Sequence, residues 1–208
     1  MKLKKNAKRL IIVLIIIVLL VVGGIVVSKL IPKKDEVKEA KVLDTIDDYG
    51  YVLKDNKSKH YQSLFKELIK VLNEEEINEE TYVSKLSEMF IVDFYSLADK
   101  SAKTDVGGVD IVHPDILGNF LENAENTYYK YVESNIYNNR NQKLPEVETV
   151  TVEKVENVSY TYGEITDEKA YSVDINWTYT SEEFADYQKK ANLTFIHKDK
   201  KLYLVELK

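Results

Sequence analysis

From Leu10 to Val27 the chain runs for eighteen residues with no polar or charged side chain, a pattern whose stable surroundings are lipid rather than a protein core. As a helix the run covers about 27 Å, close to the roughly 30 Å of a bilayer's hydrocarbon layer. Lys29, Leu30 and Ile31 can extend it by snorkelling, so residues 10–31 read as a transmembrane anchor. A cleaved signal peptide has a shorter apolar region and a small-residue cleavage site, and Ser28-Lys29-Leu30-Ile31-Pro32 supplies no such site. The anchor is therefore expected to stay on the protein.

Beyond a short charged linker, residues 32–41, the pattern becomes that of a water-soluble domain over 42–208. Val42 to Leu53 carries both periods: Val42, Leu43 and Ile46 suit a helix, while Tyr49, Tyr51 and Leu53 alternate as in a strand, and Gly50 favours the extended form. Three helices follow. The first begins after Asn56 and Ser58 and places Tyr61, Leu64, Phe65, Leu68 and Leu72 on one stripe. The second is capped by Asn78 and carries Tyr82, Leu86, Met89, Phe90 and Leu97; around Met89 to Tyr95 it is apolar on nearly every side, as a buried helix is. Asp105 to Val112 suggests a glycine turn and a short strand, and lacks the Lys-Ser/Thr ending of a phosphate loop. The third helix opens at His113-Pro114 and is expected to carry Ile116, Phe120, Leu121, Ala124, Tyr128, Tyr131 and Val132 as far as Asn135.

From Pro145 the period changes to two. Val150, Val152, Val158, Tyr160 and Tyr162 form one apolar series, and Tyr171, Val173, Ile175, Trp177 and Tyr179 a second against Ser172, Asp174, Asn176 and Thr178. Leu193 and Phe195, then Tyr203, Val205 and Leu207, mark two more strands joined through Lys198-Asp199-Lys200. The predicted fold class is thus α+β: an N-terminal transmembrane helix, then three helices packed on a curved antiparallel sheet of four or more strands.

Charge sets the orientation. Residues 1–9 form a basic tail (Lys2, Lys4, Lys5, Lys8, Arg9) with no acidic residue, so the positive-inside rule keeps the N-terminus cytoplasmic and sends the domain outward. Without that tail and Lys29 the chain has 23 basic against 35 acidic residues, a balance of −12, which leaves little to attract nucleic acid. There is no cysteine, hence no disulfide, thiol catalysis or lipoprotein acylation. Heavy use of Lys, Asn, Ile and Tyr matches an AT-rich Gram-positive-type bacterium.

The order of three helices and four strands resembles the nuclear transport factor 2-like cone fold, also called cystatin-like or SnoaL-like, in which a curved sheet wraps a long third helix. On a single anchor with a basic tail, the arrangement is similar to membrane-anchored scaffold subunits of bacterial conjugation and type IV secretion machines, and to accessory domains of cell-wall enzymes. The resemblance is one of topology over 56–208 and implies an envelope protein as partner.

Candidate chemistry is sparse. His60, His113 and His197 stand apart with no second ligand at metal spacing, and no Gly-x-Ser-x-Gly is present, so neither a metal, a cofactor nor a nucleophilic triad is expected. Asp93 lies inside Met89-Phe90-Ile91-Val92-Asp93-Phe94-Tyr95, and the resemblance implies a candidate role for it, since enzymes of the cone fold often place a carboxylate in the cone as a general base. Tyr128 and Trp177 could stack on a sugar or other small ligand inside the cone. The expectation is a non-enzymatic interaction domain in an envelope assembly, such as secretion, conjugation or wall synthesis. A ligand- or glycan-binding domain using Asp93, Tyr128 and Trp177 is the alternative, and an isomerase- or dehydratase-like enzyme the third.

Overall fold

The structure is a computed structural model that describes residues 40–208. The basic tail, the expected anchor at 10–31 and residues 32–39 of the linker lie outside the described residues, among which no helix is long and apolar enough to cross a membrane.

The ambiguous segment is a two-stranded antiparallel hairpin, β1 (Val42–Ile46) and β2 (Tyr51–Lys54), turned at Gly50, whose φ of +64° an L side chain rarely adopts. Tyr51 and Leu53 point into the core while Val42 and Leu43 stay exposed. Helix α1 (Lys59–Leu72) starts at Ser58, whose Oγ accepts the Tyr61 amide at 3.2 Å, and it buries the expected stripe together with Val71. Helix α2 (Glu79–Tyr95) starts at Asn78, whose Oδ1 accepts the Thr81 amide at 2.9 Å, and Glu79 and Glu80 suit the positive end of its dipole. It packs on α1, on one side, and on the large sheet, on the other, which is why its run from Met89 to Tyr95 is buried throughout. The helix ends two residues earlier than the sequence predicts: Ser96 leaves helical geometry, its Oγ accepting the Val147 amide, and Leu97 sits in a 3₁₀ turn, Leu97–Asp99.

The expected strand near Val112 is reduced to a single parallel bridge to Leu204. Helix α3 (Pro114–Asn126) opens at His113-Pro114, as predicted, with His113 as its cap, but it stops nine residues short of Asn135. Thr127 breaks it, with φ −120° and ψ −93°, and bonds its hydroxyl back to Asn123 O at 2.6 Å. The break turns Tyr129 fully inward, so Tyr128, Tyr131 and Val132 belong to a loop, and of the helix itself only Ala124 is buried.

The four-stranded sheet is an antiparallel meander, β3 (Val147–Tyr162), β4 (Ile165–Tyr179), β5 (Lys190–Lys198) and β6 (Lys201–Leu207), paired in that order. On β4 the prediction holds: Tyr171, Val173, Ile175, Trp177 and Tyr179 are all buried and Asp174 and Asn176 are exposed. On β3 and β6 the single dry face does not hold. A bulge at Glu153 makes Val155 join Val150 and Val152 on the main core, while Val158 and the tyrosines 160 and 162 pack with Ala170, Ile196 and Val205 in a second, smaller cluster. A bulge opposite Thr194/Phe195 does the same to β6, where Leu202, Leu204 and Leu207 meet the core while Tyr203 and Val205 alternate with them. One extra residue reverses the facing of everything beyond it.

Candidate functional site

Asp93 is buried, 6% exposed, near the end of α2, and three donors converge on it. Lys57, in the link between β2 and α1, places Nζ 2.6 Å from Oδ2, and Lys100, just past the 3₁₀ turn, places Nζ 2.7 Å from Oδ1. The Gly108 amide donates to Oδ2 at 2.7 Å. Two glycines make this approach possible. A Cβ on Gly107 would lie 2.0 Å from the Asp93 carbonyl oxygen, and Gly108 has φ +76° with the Phe90 ring 2.5 Å from where its Cβ would be. Tyr129 completes the joint: its hydroxyl donates to the Phe94 carbonyl at 2.6 Å and accepts the Gly107 amide at 3.1 Å.

Burial works to raise the Asp93 pKa, but the charges of Lys100 and Lys57 and their hydrogen bonds outweigh it and lower the value to about 2. The carboxylate is therefore ionised at neutral pH and fully engaged. Tyr61, whose pKa is raised by burial first and then by Asp93 and Asp110, stays a neutral phenol with the Lys57 ammonium 5.1 Å from its ring centre. The group is a salt-bridged joint fastening α2, the β2–α1 link and the glycine turn. The sequence made Asp93 conspicuous by its apolar neighbours, whereas Lys57, Lys100, Gly108 and Tyr129 gave no signal as partners, because spacings of 36, 7, 15 and 36 residues follow no period.

Tyr128 and Trp177 meet on a shared neighbour, Tyr95, with ring centres 5.1 and 4.3 Å from it. The Tyr128 ring also stacks on Phe94 at 5.8 Å, and its hydroxyl lies 3.3 Å from that of Tyr179, which donates to Gln188 O at 2.8 Å. Asp93 bonds to neither residue, so the three sequence candidates do not form one site. The Trp177 indole N–H is buried and faces the Tyr179 hydroxyl, whose pKa burial raises and this donor lowers in smaller part, but no well-formed hydrogen bond joins the two.

Two of the histidines do local work. The His113 Nδ1 accepts the Asp115 amide at 3.3 Å at the start of α3, with its ring between Tyr162 and Tyr203; burial, then Lys198, lower its pKa against the pull of Asp115. His197 faces two carboxylates, Asp167 Oδ2 at 2.8 Å from Nδ1 and Glu79 Oε2 at 3.4 Å from Nε2, and Glu79 also accepts the Tyr171 hydroxyl at 3.0 Å. This links β5 and the start of β4 to the N-terminus of α2. Among the described residues no group of three or more His, Asp or Glu side chains is placed to hold a metal ion. An open groove of 820 Å³ lies outside the sheet, lined by Asn176, Tyr187, Lys189, Lys190 and Asn192 among others. Comparison with protein-family models, curated proteins and solved structures gives no match.

Proposed function

We propose that this protein is a membrane-tethered interaction domain without catalytic activity of its own, held outside the cytoplasmic membrane by residues 10–31 and working with a protein partner in a bacterial envelope assembly. The observation that carries the reading is the charge-free run Leu10–Val27 between a basic tail and an acidic, cysteine-free domain. The state of Asp93 supports the non-enzymatic part: a carboxylate of pKa about 2 with two lysines on it is a poor proton acceptor at neutral pH. β3 adds a surface for a partner, since it is the sixteen-residue edge of the sheet, paired only with β4. Support for a cone-type scaffold comes from the order of three helices before four antiparallel strands alone, since the helix packed on the sheet is α2 and not the third; scaffold subunits of secretion and conjugation machines are a functional analogy.

A second reading, a domain that binds a small apolar ligand or glycan, is favoured by the aromatic cluster of Trp177, Tyr95 and Tyr128, in which the buried indole N–H lacks a well-formed hydrogen bond. Lysine-directed crosslinking of the full-length protein in intact membranes separates the two. One dominant protein adduct is expected. Absence of any protein adduct, together with a rise in melting temperature on adding wall glycan fragments, would replace the first reading with the second.

A further inference from the structure

The loop from Tyr131 to Gln142 buries Val132 and half-buries Asn135, Arg140 and Gln142, while Tyr131, Ile136 and Tyr137 stay exposed. Arg140, the one arginine among the described residues, donates to three carbonyls: Nη1 to Lys100 O at 2.8 Å and Glu133 O at 3.1 Å, and Nη2 to Ala98 O at 2.8 Å. The Gln142 side chain closes the loop by accepting the Glu133 amide at 2.9 Å and donating to Tyr131 O at 2.8 Å. Asn135 binds it to the body of the domain, its amide donating to Ser101 O at 2.6 Å while its Oδ1 accepts the Arg140 amide at 3.0 Å. A loop so fully bonded keeps one shape.

That shape exposes Tyr131 by 75%, Ile136 by 53% and Tyr137 by 69%. Ser134 to Asn139 carries no charge, in a chain of which 31% is charged. An ordered, neutral tip bearing tyrosine and isoleucine has the composition of a surface made to be covered.

The position of the loop indicates what covers it. The chain enters β1 at Lys41, whose amide donates to Asp55 Oδ1 at 2.9 Å, and Lys57, two residues further, reaches Asp93 near the C-terminal end of α2. Lys100 holds the other oxygen of Asp93, and the next residue, Ser101, holds Asn135. The entry of the chain and the loop are thus both tied to the region at the C-terminal end of α2, and Val42 and Leu43, at the entry, are exposed by 57% and 53%. Ten residues, 32–41, separate that entry from the apolar run, a reach of at most about 35 Å.

We propose that Tyr131, Ile136 and Tyr137, with Val42 and Leu43 beside the chain entry, form a foot that rests in the interfacial layer of the bilayer; this depends on residues 10–31 being the anchor. Tyrosine suits that layer, with an apolar ring and a hydroxyl that stays hydrated. A domain with a balance of −12 is repelled by anionic headgroups, and a neutral tip is the part that can approach them.

The absence of cysteine allows single labels to be introduced without background. Full-length Ile17→Cys, Ile136→Cys, Tyr131→Cys and Tyr187→Cys variants carry a nitroxide in vesicles of equal parts phosphatidylcholine and phosphatidylglycerol. Collision with oxygen, which favours lipid, is compared with collision with a water-soluble nickel chelate. The oxygen-to-nickel ratio is expected to be severalfold higher at 136 and 131 than at the exposed Tyr187 position, and highest at 17. A label at 17 in lipid with 136 and 131 matching 187 overturns the foot and leaves the anchor standing. A label at 17 in water overturns the anchor and the foot with it. Labels at 136 and 131 shielded from both reagents point to a protein contact and overturn the lipid assignment.

Discussion

With Lys100 on one oxygen of Asp93 and Lys57 and the Gly108 amide on the other, each group satisfies the others, and the cost of removing one falls on those left behind. Asp93→Asn leaves Lys100, itself only 5% exposed, as a buried ammonium without a counter-charge. A loss of about 3 to 5 kcal/mol is expected, read as a lower melting temperature at neutral pH. A rise instead would mean that the carboxylate is strained, and would favour a functional base. The pH dependence has a definite sign. The folded-state pKa of about 2 lies below that of an unfolded aspartate, about 3.9, so this stabilisation is complete above that value and is lost as the pH falls toward 2. Asp93→Asn should flatten the melting-temperature profile across that window. A polar residue inside an apolar helix was legible in the sequence as important; its partners were not, since tertiary folding alone brings Lys57 and Gly108 to it.

At the scale of elements, helix starts were more legible than helix ends. The helices begin where the sequence places them, after Ser58, at the Asn78 cap and at His113-Pro114, because each start is fixed by a local hydrogen bond within three residues. The end of α3 was missed because the apolar series Tyr128, Tyr131 and Val132 continues past Thr127, where burial of Tyr129 against Phe94 and Gly107 draws the backbone out of the helix. Strand positions were legible where no bulge intervenes, as on β4, and were misassigned past the bulge on β3 and up to the bulge on β6, where Leu207 alone of the expected series meets the main core. This gives a paired prediction. Trp177→Asp should unfold the domain, since truncating such a residue alone costs about 3 to 5 kcal/mol and a buried carboxylate adds to that. Asn176→Asp on the opposite face loses one exposed bond to Glu153, 3.0 Å away, and should change stability by no more than about 0.5 kcal/mol. Circular dichroism melts check both, and equal tolerance of the two changes would contradict the facing of β4.

For the whole molecule, the decisive feature is the contrast between the charge-free stretch 10–27 and the compact acidic domain from 42 onward. Its reading as an anchor depends on length and flanks alone: eighteen apolar residues cover most of a hydrocarbon layer, and five basic residues precede them with no acidic one. Transfer of that tail across a membrane would move five positive charges against the potential, whereas a domain that follows such an anchor can be exported largely regardless of its charge. Protease added to intact cells stripped of their wall should therefore digest the domain and leave a short membrane-bound fragment carrying the N-terminus, and permeabilising the cells should be needed before the tail is cut. If the stretch were a signal peptide, the intact domain would appear in the medium with a new N-terminus near Ser28. If the orientation were inverted, the domain would survive protease until the membrane was opened, so the three outcomes are distinct on one gel.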